Sequence, residues 1–439
     1  MQSIKNDISR LNKQGKSREE IKTFITKKNP TMQESSIDRA IEEETGVQYE
    51  VVQKIMRSDL ITNMNDKGST IYLYDPFCAE IKKIEYNNLK YLFDRKTVNN
   101  LSIRPCEFIY NPFKREKIFE NGDLITYFNT YEPPKWMVDE YGQYLEYVEK
   151  LDTIPQMYEK FFKHLTDDKK SEYDYILKWL ANAIQNRNFC VLSAIGAPGI
   201  GKGVLGEIMV GLVGSSNFCK TDNRLITKDF NSQFKDKRLV FCDEINIKKT
   251  DHMNKFKDLI NQRIEIEGKG ENAFNSENFA SIYIASNNMD SLFVPENDRR
   301  FSIIELTSKR LDIIFNSQEI DELISEENVN KLASYLYYLE IDQDEMLKVH
   351  RSSRTEEIRR SSLSDAQEWF IEDYAVDKAG QEVEIGIVQE AFREKEYKAL
   401  SRRELEKLQE RFSSVFKVVQ CRTNGKRIRK VKFYEVTNG

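Results

Sequence analysis

No apolar run approaches the ~20 residues that a membrane-spanning helix needs, and the charged start, Met1 to Lys28, has no apolar core of the kind a secretory signal carries. Histidine is scarce, and His164, His252 and His350 lie far apart, which argues against a histidine-built metal site. The six cysteines, Cys78, Cys106, Cys190, Cys219, Cys242 and Cys421, form no C-x-x-C pair. Neither a disulfide framework nor a structural zinc site is therefore legible, and the thiols that lie in apolar runs read as small hydrophobes. These absences point to a cytoplasmic chain. Disorder throughout is excluded by what is abundant: 25 Phe, 21 Tyr and 3 Trp.

The 439 residues allow about three domains at ~150 residues each. The net charge of -5 hides an asymmetry, because residues 391–439 carry 14 Lys and Arg against 6 Asp and Glu. An acidic body with a basic C-terminal end points to a nucleic-acid-binding module there, with an ordinary solvated face as the alternative.

Along the chain, residues 1–45 read as a small helical module. Ser17 with Glu20 and Thr31 with Glu34 have the spacing of capping boxes ahead of the stripes Ile21, Phe24, Ile25 and Ile37, Ala40, Ile41. Its balanced charge favours protein contact over DNA. Residues 46–150 read as a β-rich accessory region, with β-branched and aromatic runs between Gly, Asp-Pro and Asn-Asn breaks. Residues 151–345 begin helical, then alternate strands and helices from Phe189 to Leu306, the pattern of a parallel, helix-flanked sheet. Residues 346–364, rich in Arg and Ser without apolar periodicity, read as a linker, and 365–439 as a last module.

The strongest chemical signal is Gly196-Ala197-Pro198-Gly199-Ile200-Gly201-Lys202-Gly203-Val204, which matches the G-x-x-x-x-G-K of a phosphate-binding loop between an apolar strand and a helix. Glycines let the backbone turn its N–H groups toward phosphate oxygens, and the helix start adds partial positive charge. Lys202 would reach the β- and γ-phosphates of ATP. Gly203 stands where a Ser or Thr hydroxyl would bind Mg²⁺. Downstream, Arg238-Leu-Val-Phe-Cys-Asp243-Glu244 is an apolar strand ending in two acids. Asp243 is the expected Mg²⁺ ligand and Glu244 the group that orients the attacking water. A further strand ends at Asn287-Asn288, and Arg299-Arg300 precedes the next. Asn287 could hydrogen-bond the γ-phosphate or the lytic water, and either arginine could stabilise transition-state charge at a neighbouring subunit's ATP.

In this order and compactness the four elements resemble superfamily 3 helicases. Tyr173 to Gln185, Asp229-Phe-Asn-Ser-Gln-Phe234 and Pro295 to Phe301 are similar to the helicase part of phage and plasmid primase-helicases and primase-polymerases. The resemblance covers roughly residues 105–306. It implies an α/β P-loop core of AAA+ type, a ring, most often a hexamer, and ATP-driven movement on single-stranded and forked DNA in phage or plasmid replication. It also implies a primase or polymerase domain in cis or in trans, and a host-cell cytoplasmic location. Carried over by residue, Lys202 binds phosphate, Asp243 and Glu244 form Walker B, Asn287 is sensor 1, and Arg299 or Arg300 is the finger. Leu259 to Phe274 falls where the family has a DNA-gripping hairpin, with Lys269 near its tip for a phosphate contact and Phe274 for stacking.

At the C-terminal end, Glu384 to Phe392 reads as a helix, and Ser401 with Glu404 caps another that carries Leu405, Leu408 and Phe412 on one face. Arg403, Lys407 and Arg411 recur at i, i+4, i+8 on a second face. Asn424-Gly425 is a hairpin turn signal, and Lys426, Arg427, Arg429, Lys430 and Lys432 crowd the strand after it. Helices followed by a basic hairpin resemble a winged-helix domain that holds DNA through its phosphates, or alternatively docks protein. Besides a helicase, the same ATP motifs suit a replication initiator or loader, and Gly203 suits an ATPase-weak DNA-binding ring scaffold. A small-molecule kinase fits worse, because the arginine pair and the basic module serve no such chemistry.

Overall fold

The computed structural model describes most of residues 2–41, the stretches 59–64, 70–75, 80–85 and 102–120, and, apart from residues 121–124 in part, 223–230, 248–249, 269–272, 293, 362 and 424–425, the chain on to residue 435. It is a mixed α/β protein that divides into two compact units, Met1–Val148 and Glu149–Gly439.

In the first unit, helices Gln2–Lys13 and Arg18–Lys28 bury Ile8, Leu11, Ile21 and Ile25 together with Ile37, Ala40 and Ile41. Phe24, from the same sequence stripe, is left exposed. The capping pairs read at Ser17/Glu20 and Thr31/Glu34 each include a residue outside the described ones. Strands β1 (Asp59–Asn63), β2 (Thr70–Asp75), β3 (Glu80–Glu85), β4 (Ile103–Ile109), β5 (Ile118–Glu120) and β6 (Thr126–Asn129) form a mixed sheet in the order β3-β2-β1-β4-β6-β5. Its core packs Tyr74 and Phe108 against Phe128, with ring centroids 5.4 and 5.0 Å apart.

The second unit is built on β7 (Val191–Ile195), β8 (Phe218–Thr221), β9 (Leu239–Asp243), β12 (Ser281–Ser286) and β13 (Phe301–Ile304). These five strands are all parallel, in the order β13-β7-β12-β9-β8. Every residue of β7, β12 and β13 is buried, which is why these segments read as near-continuous apolar runs rather than alternating ones. Helix Lys170–Gln185 precedes β7 and is pinned to it by Trp179, whose Nε1 donates to the Cys190 carbonyl at 2.9 Å. Between β9 and β12 stand helix Thr250–Ile260 and an antiparallel pair, β10 (Arg263–Ile266) with β11 (Phe274–Glu277).

The segment expected to be a linker, 346–364, instead contains a helix, Ser353–Ser361, with Ile358 fully buried in the sheet's core. Ile358 is its one apolar residue; its arginines pair mostly with glutamates of the same helix, and Arg360 also reaches Glu372, so no apolar period marks it in the sequence. Beyond it come a helical stretch through residues 365–377 with a π turn at Phe370–Tyr374, β14 (Glu382–Glu384), helices Ile385–Glu394 and Arg402–Arg411, β15 (Phe416–Thr423) and β16 (Lys426–Phe433). These strands form an antiparallel sheet in the order β14-β16-β15. The module has its own core, centred on Phe370, Phe392, Phe416 and Phe433. Ser401 and Glu404 make the reciprocal capping box their spacing predicts.

Candidate nucleotide and nucleic-acid sites

The carboxyl ends of parallel strands are where open α/β sheets bind ligands, and the residues expected to handle phosphate gather there. The chain leaves β7 at Ile195 and enters helix Lys202–Val213 through a loop in which Gly199 has φ 78° and Gly201 φ 112°. Both values lie in the left-handed region that glycine tolerates. Gly201 caps the helix without a side-chain bond, so the first N–H groups of the helix remain directed at the loop's concave side. Lys202 is 7% exposed, and its ammonium donates to the carbonyls of Gly196 at 2.8 Å and Ala197 at 2.6 Å, and to Asn287 Oδ1 at 2.8 Å. The Asn287 amide in turn donates to Glu244 Oε1. Lys202, Asn287 and Glu244 thus form one hydrogen-bonded chain across the ends of β7, β12 and β9. Burial pulls the Lys202 pKa below its ordinary value, while Glu244 and Asp243 act the other way.

Glu244 has φ 53°, a left-handed backbone that a glutamate seldom adopts, directly after β9. Its N–H is held by the Ala285 carbonyl at 2.9 Å. Such strain persists where the surroundings over-determine it, and it clusters at working sites. Asp243 is partly exposed and pairs with Lys220 Nζ at 2.9 Å. A cleft of about 400 Å³ opens over these groups, lined by the loop from Pro198 to Val204, by Asp243, Glu244 and Asn287, and by Arg310, Leu311, Asp312 and Ile320.

Arg310 and Asp312 were not singled out by motif spacing. Arg310 donates to Asp312 through Nε at 3.0 Å and a terminal nitrogen at 2.6 Å, and its guanidinium lies beside Gly199, 3.7 Å from where a Cβ would sit. The Leu311 N–H bonds the Gly199 carbonyl at 2.8 Å, tying this segment to the loop. Position alone reveals the pair, since a lone R-x-D has no sequence signature.

A triphosphate with its metal can be tested against these groups. The donors fit a polyphosphate: an ammonium, a guanidinium and a helix start surround one concavity. The metal fits more narrowly. Asp243 and Glu244 are carboxylates that line the cleft, and Mg²⁺ is commonly held by one or two carboxylates together with phosphate oxygens and water. At Gly203 an added Cβ would meet nothing within 4 Å, so a serine has room there.

Arg299 and Arg300 are not part of this cleft. They precede β13, level with the start of β7, whereas the loop follows the end of β7. Five residues at ~3.3 Å put them about 16 Å away along the strands. Arg299 is exposed and Arg300 partly so, with Arg300 3.8 Å from Asp298.

Phe274 starts β11, exposed, with Lys235 5.2 Å above its ring. Lys269, expected at the hairpin tip, lies outside the described residues, as does Asn424-Gly425. Arg403 and Lys407 are exposed on helix Arg402–Arg411, whereas Arg411, expected on the same face, is 8% exposed. Arg427 and Arg429 are exposed on β16, Lys430 lies 3.6 Å from Glu382, and Lys426 opens the strand.

Residues 194–300, from the end of β7 to Arg300, match a family of unknown function, DUF5906. A curated relative is the DNA primase-polymerase of Nitratiruptor phage NrS-1, 23% identical over 297 residues, or 63% of this chain. The chain spans 40% of the length of that relative. The fold is similar to the apo structure of the NrS-1 C-terminal region, with a TM-score of 0.64 at 16% identity, covering 88% of this chain and 98% of that one. A second structure of the region gives a TM-score of 0.62. The expected kinship with phage primase-polymerases thus has a counterpart in sequence and in fold. No described helix is long and apolar enough to cross a membrane.

Proposed function

We propose that this chain is an ATP-dependent motor on single-stranded DNA, a ring-forming helicase of the superfamily 3 type, serving phage or plasmid replication beside a primase or polymerase domain in cis or in trans. The observation that carries the reading is the convergence of Lys202, Asn287, Glu244 and Asp243 on one cleft at the carboxyl edge of a parallel sheet. The strand order β13-β7-β12-β9-β8, with the phosphate loop after the second strand in that list, supports an AAA+-like P-loop core. The C-terminal order of helix, strand, two helices and two strands, with exposed Arg403, Lys407, Arg427 and Arg429, supports a winged helix on DNA.

In this reading Lys202 and the helix start bind the β- and γ-phosphates, and Asn287 senses the terminal phosphate. Glu244, held by Asn287 in its strained backbone, positions the attacking water. Asp243, released from Lys220, would hold Mg²⁺, which supplies charge neutralisation on the phosphates. Arg299 or Arg300 acts on the neighbouring subunit's site. ATP hydrolysis, followed with and without single-stranded DNA, tests the proposal. Turnover should rise with DNA and vanish in Lys202→Ala; hydrolysis that survives Lys202→Ala defeats the reading.

Gly203 favours a second reading, a ring scaffold or loader with weak metal chemistry. Gly203→Ser separates the two. In a scaffold it restores turnover to a nearly silent wild type, whereas in a motor that holds Mg²⁺ through water and Asp243 it changes turnover little. The substitution itself is sterically free and gains up to about 0.5 kcal/mol of helix stability.

A further inference from the structure

The loop that carries Arg299 and Arg300 is fastened to the C-terminal module at Glu296 and Asn297, five and four residues ahead of the strand it feeds. Glu296 Oε2 accepts the Ser413 hydroxyl at 2.8 Å and the Ser414 N–H at 2.6 Å. The Glu296 N–H donates to the Glu410 carbonyl at 3.0 Å, and Asn297 Nδ2 to Ser413 Oγ at 3.0 Å. Three hydrogen bonds thus join two consecutive loop residues to one turn, and a fourth joins them to the end of the helix before it. That turn, Ser413-Ser414, lies between helix Arg402–Arg411, with exposed Arg403 and Lys407, and β15, whose partner β16 bears Arg427 and Arg429.

The other end of the loop is held by hydrogen bonds to Asp298. Asp298 is 6% exposed, and its Oδ1 accepts the N–H of Arg300 at 2.7 Å and of Phe301 at 3.3 Å. Its carbonyl accepts from Arg351 at 3.1 Å. The arginines therefore stand between a fixed strand start and a contact that belongs to the DNA-facing module. The two modules keep separate apolar cores, and this seam between them is polar. Polar seams of this kind permit relative movement that a shared core would resist.

We propose that Glu296 is a positioning residue: DNA held by the C-terminal module sets, through Glu296, the arrangement of Arg299 and Arg300 toward the neighbouring subunit's nucleotide. The basic module then reports its occupancy to a hydrolysis site in another chain. This rests on the motor reading given above. An arginine of this type acts on the transition state, so the signal belongs in kcat rather than in KM.

The experiment is steady-state ATP hydrolysis by the full chain with and without oligo-dT, comparing wild type with Glu296→Ala, Glu296→Gln and Ser413→Ala. Misplacement of a catalytic group by ~1 Å costs about 10²-fold in rate. Glu296→Ala should therefore lose about 10- to 100-fold of DNA-stimulated kcat, with KM for ATP, oligo-dT affinity and DNA-free turnover near wild type. Glu296→Gln keeps an acceptor oxygen and should restore most of the stimulation, and Ser413→Ala, which leaves the loop intact, should lose part of it. Equal stimulation in wild type and Glu296→Ala overturns the inference, as does wild-type turnover indifferent to DNA. A fall in turnover that is the same with and without DNA also overturns it, because that marks a purely structural contact. Absence of wild-type turnover, or turnover that survives Lys202→Ala, is a different result: it removes the motor reading and this inference with it.

Discussion

The guanidinium of Arg310 lies beside the glycine-rich loop at Gly199 with two hydrogen bonds to Asp312, while Lys202 is shared between two carbonyls and Asn287. On the motor reading, a terminal phosphate competes with Asp312 for Arg310, and a diphosphate competes less. Hydrogen bonds to charged groups are worth about 1.5–3 kcal/mol. Arg310→Ala should therefore weaken binding of a non-hydrolysable ATP analogue about tenfold or more, and ADP by much less. Competition binding against a fluorescent nucleotide measures both. Equal losses for the two nucleotides would remove Arg310 from the γ-phosphate. Glu296 adds a pH signature at this scale. Burial works to raise its carboxyl, but the bonds from Ser414 and Ser413 and the charge of Arg359 together hold it below the ordinary carboxylate range. A depressed carboxylate stabilises the folded seam above its unfolded pKa, and that contribution is lost as pH falls through the folded value.

At the scale of elements, helix Lys202–Val213 approaches β9 closely because residue 206 has no side chain. A Cβ at Gly206 would lie 2.6 and 2.8 Å from two ring carbons of Phe241. Phe241 stacks on Tyr283 with centroids 4.9 Å apart, and the Tyr283 hydroxyl donates to the Lys202 carbonyl at 3.0 Å. Alanine gains about 1 kcal/mol of helix propensity over glycine, and overpacking costs about 1–3 kcal/mol. Gly206→Ala should thus lower stability by up to about 2 kcal/mol in urea denaturation and weaken nucleotide binding through the displaced Lys202. The glycine-rich loop, β9 and the strand end at Asn287 were legible in the sequence because buried parallel strands are written as unbroken apolar runs, and their polar ends stand out against them. The helix Ser353–Ser361 and β14 were not. One is anchored by a single buried isoleucine, and the other is a three-residue strand, Glu-Val-Glu, recognisable only by its pairing with Lys430 to Lys432. Arg310 escaped for a related reason: what defines it is a loop crossing back over Gly199, a relation in space and not along the chain.

For the whole molecule, what matters is that the two halves of the proposed site lie at opposite ends of one sheet. The phosphate loop follows β7, and Arg299 and Arg300 precede β13. On the ring reading, Lys202→Ala chains and chains with both arginines replaced by alanine are each inactive alone. Mixed in equal amounts and allowed to reassemble, they should regain activity, since about a quarter of randomly formed interfaces in such a head-to-tail ring pair an intact loop with intact arginines. No recovery in demonstrably mixed assemblies would count against an arginine supplied in trans. The same separation has a consequence for abundance. On the ring reading, a chain that cannot bring its own arginines to its own nucleotide would be idle when diluted, and its specific activity would be a property of its concentration. Newly made protein would spend no ATP until enough copies had accumulated to find one another, so the onset of work would be set by expression level through mass action and would need no dedicated inhibitor.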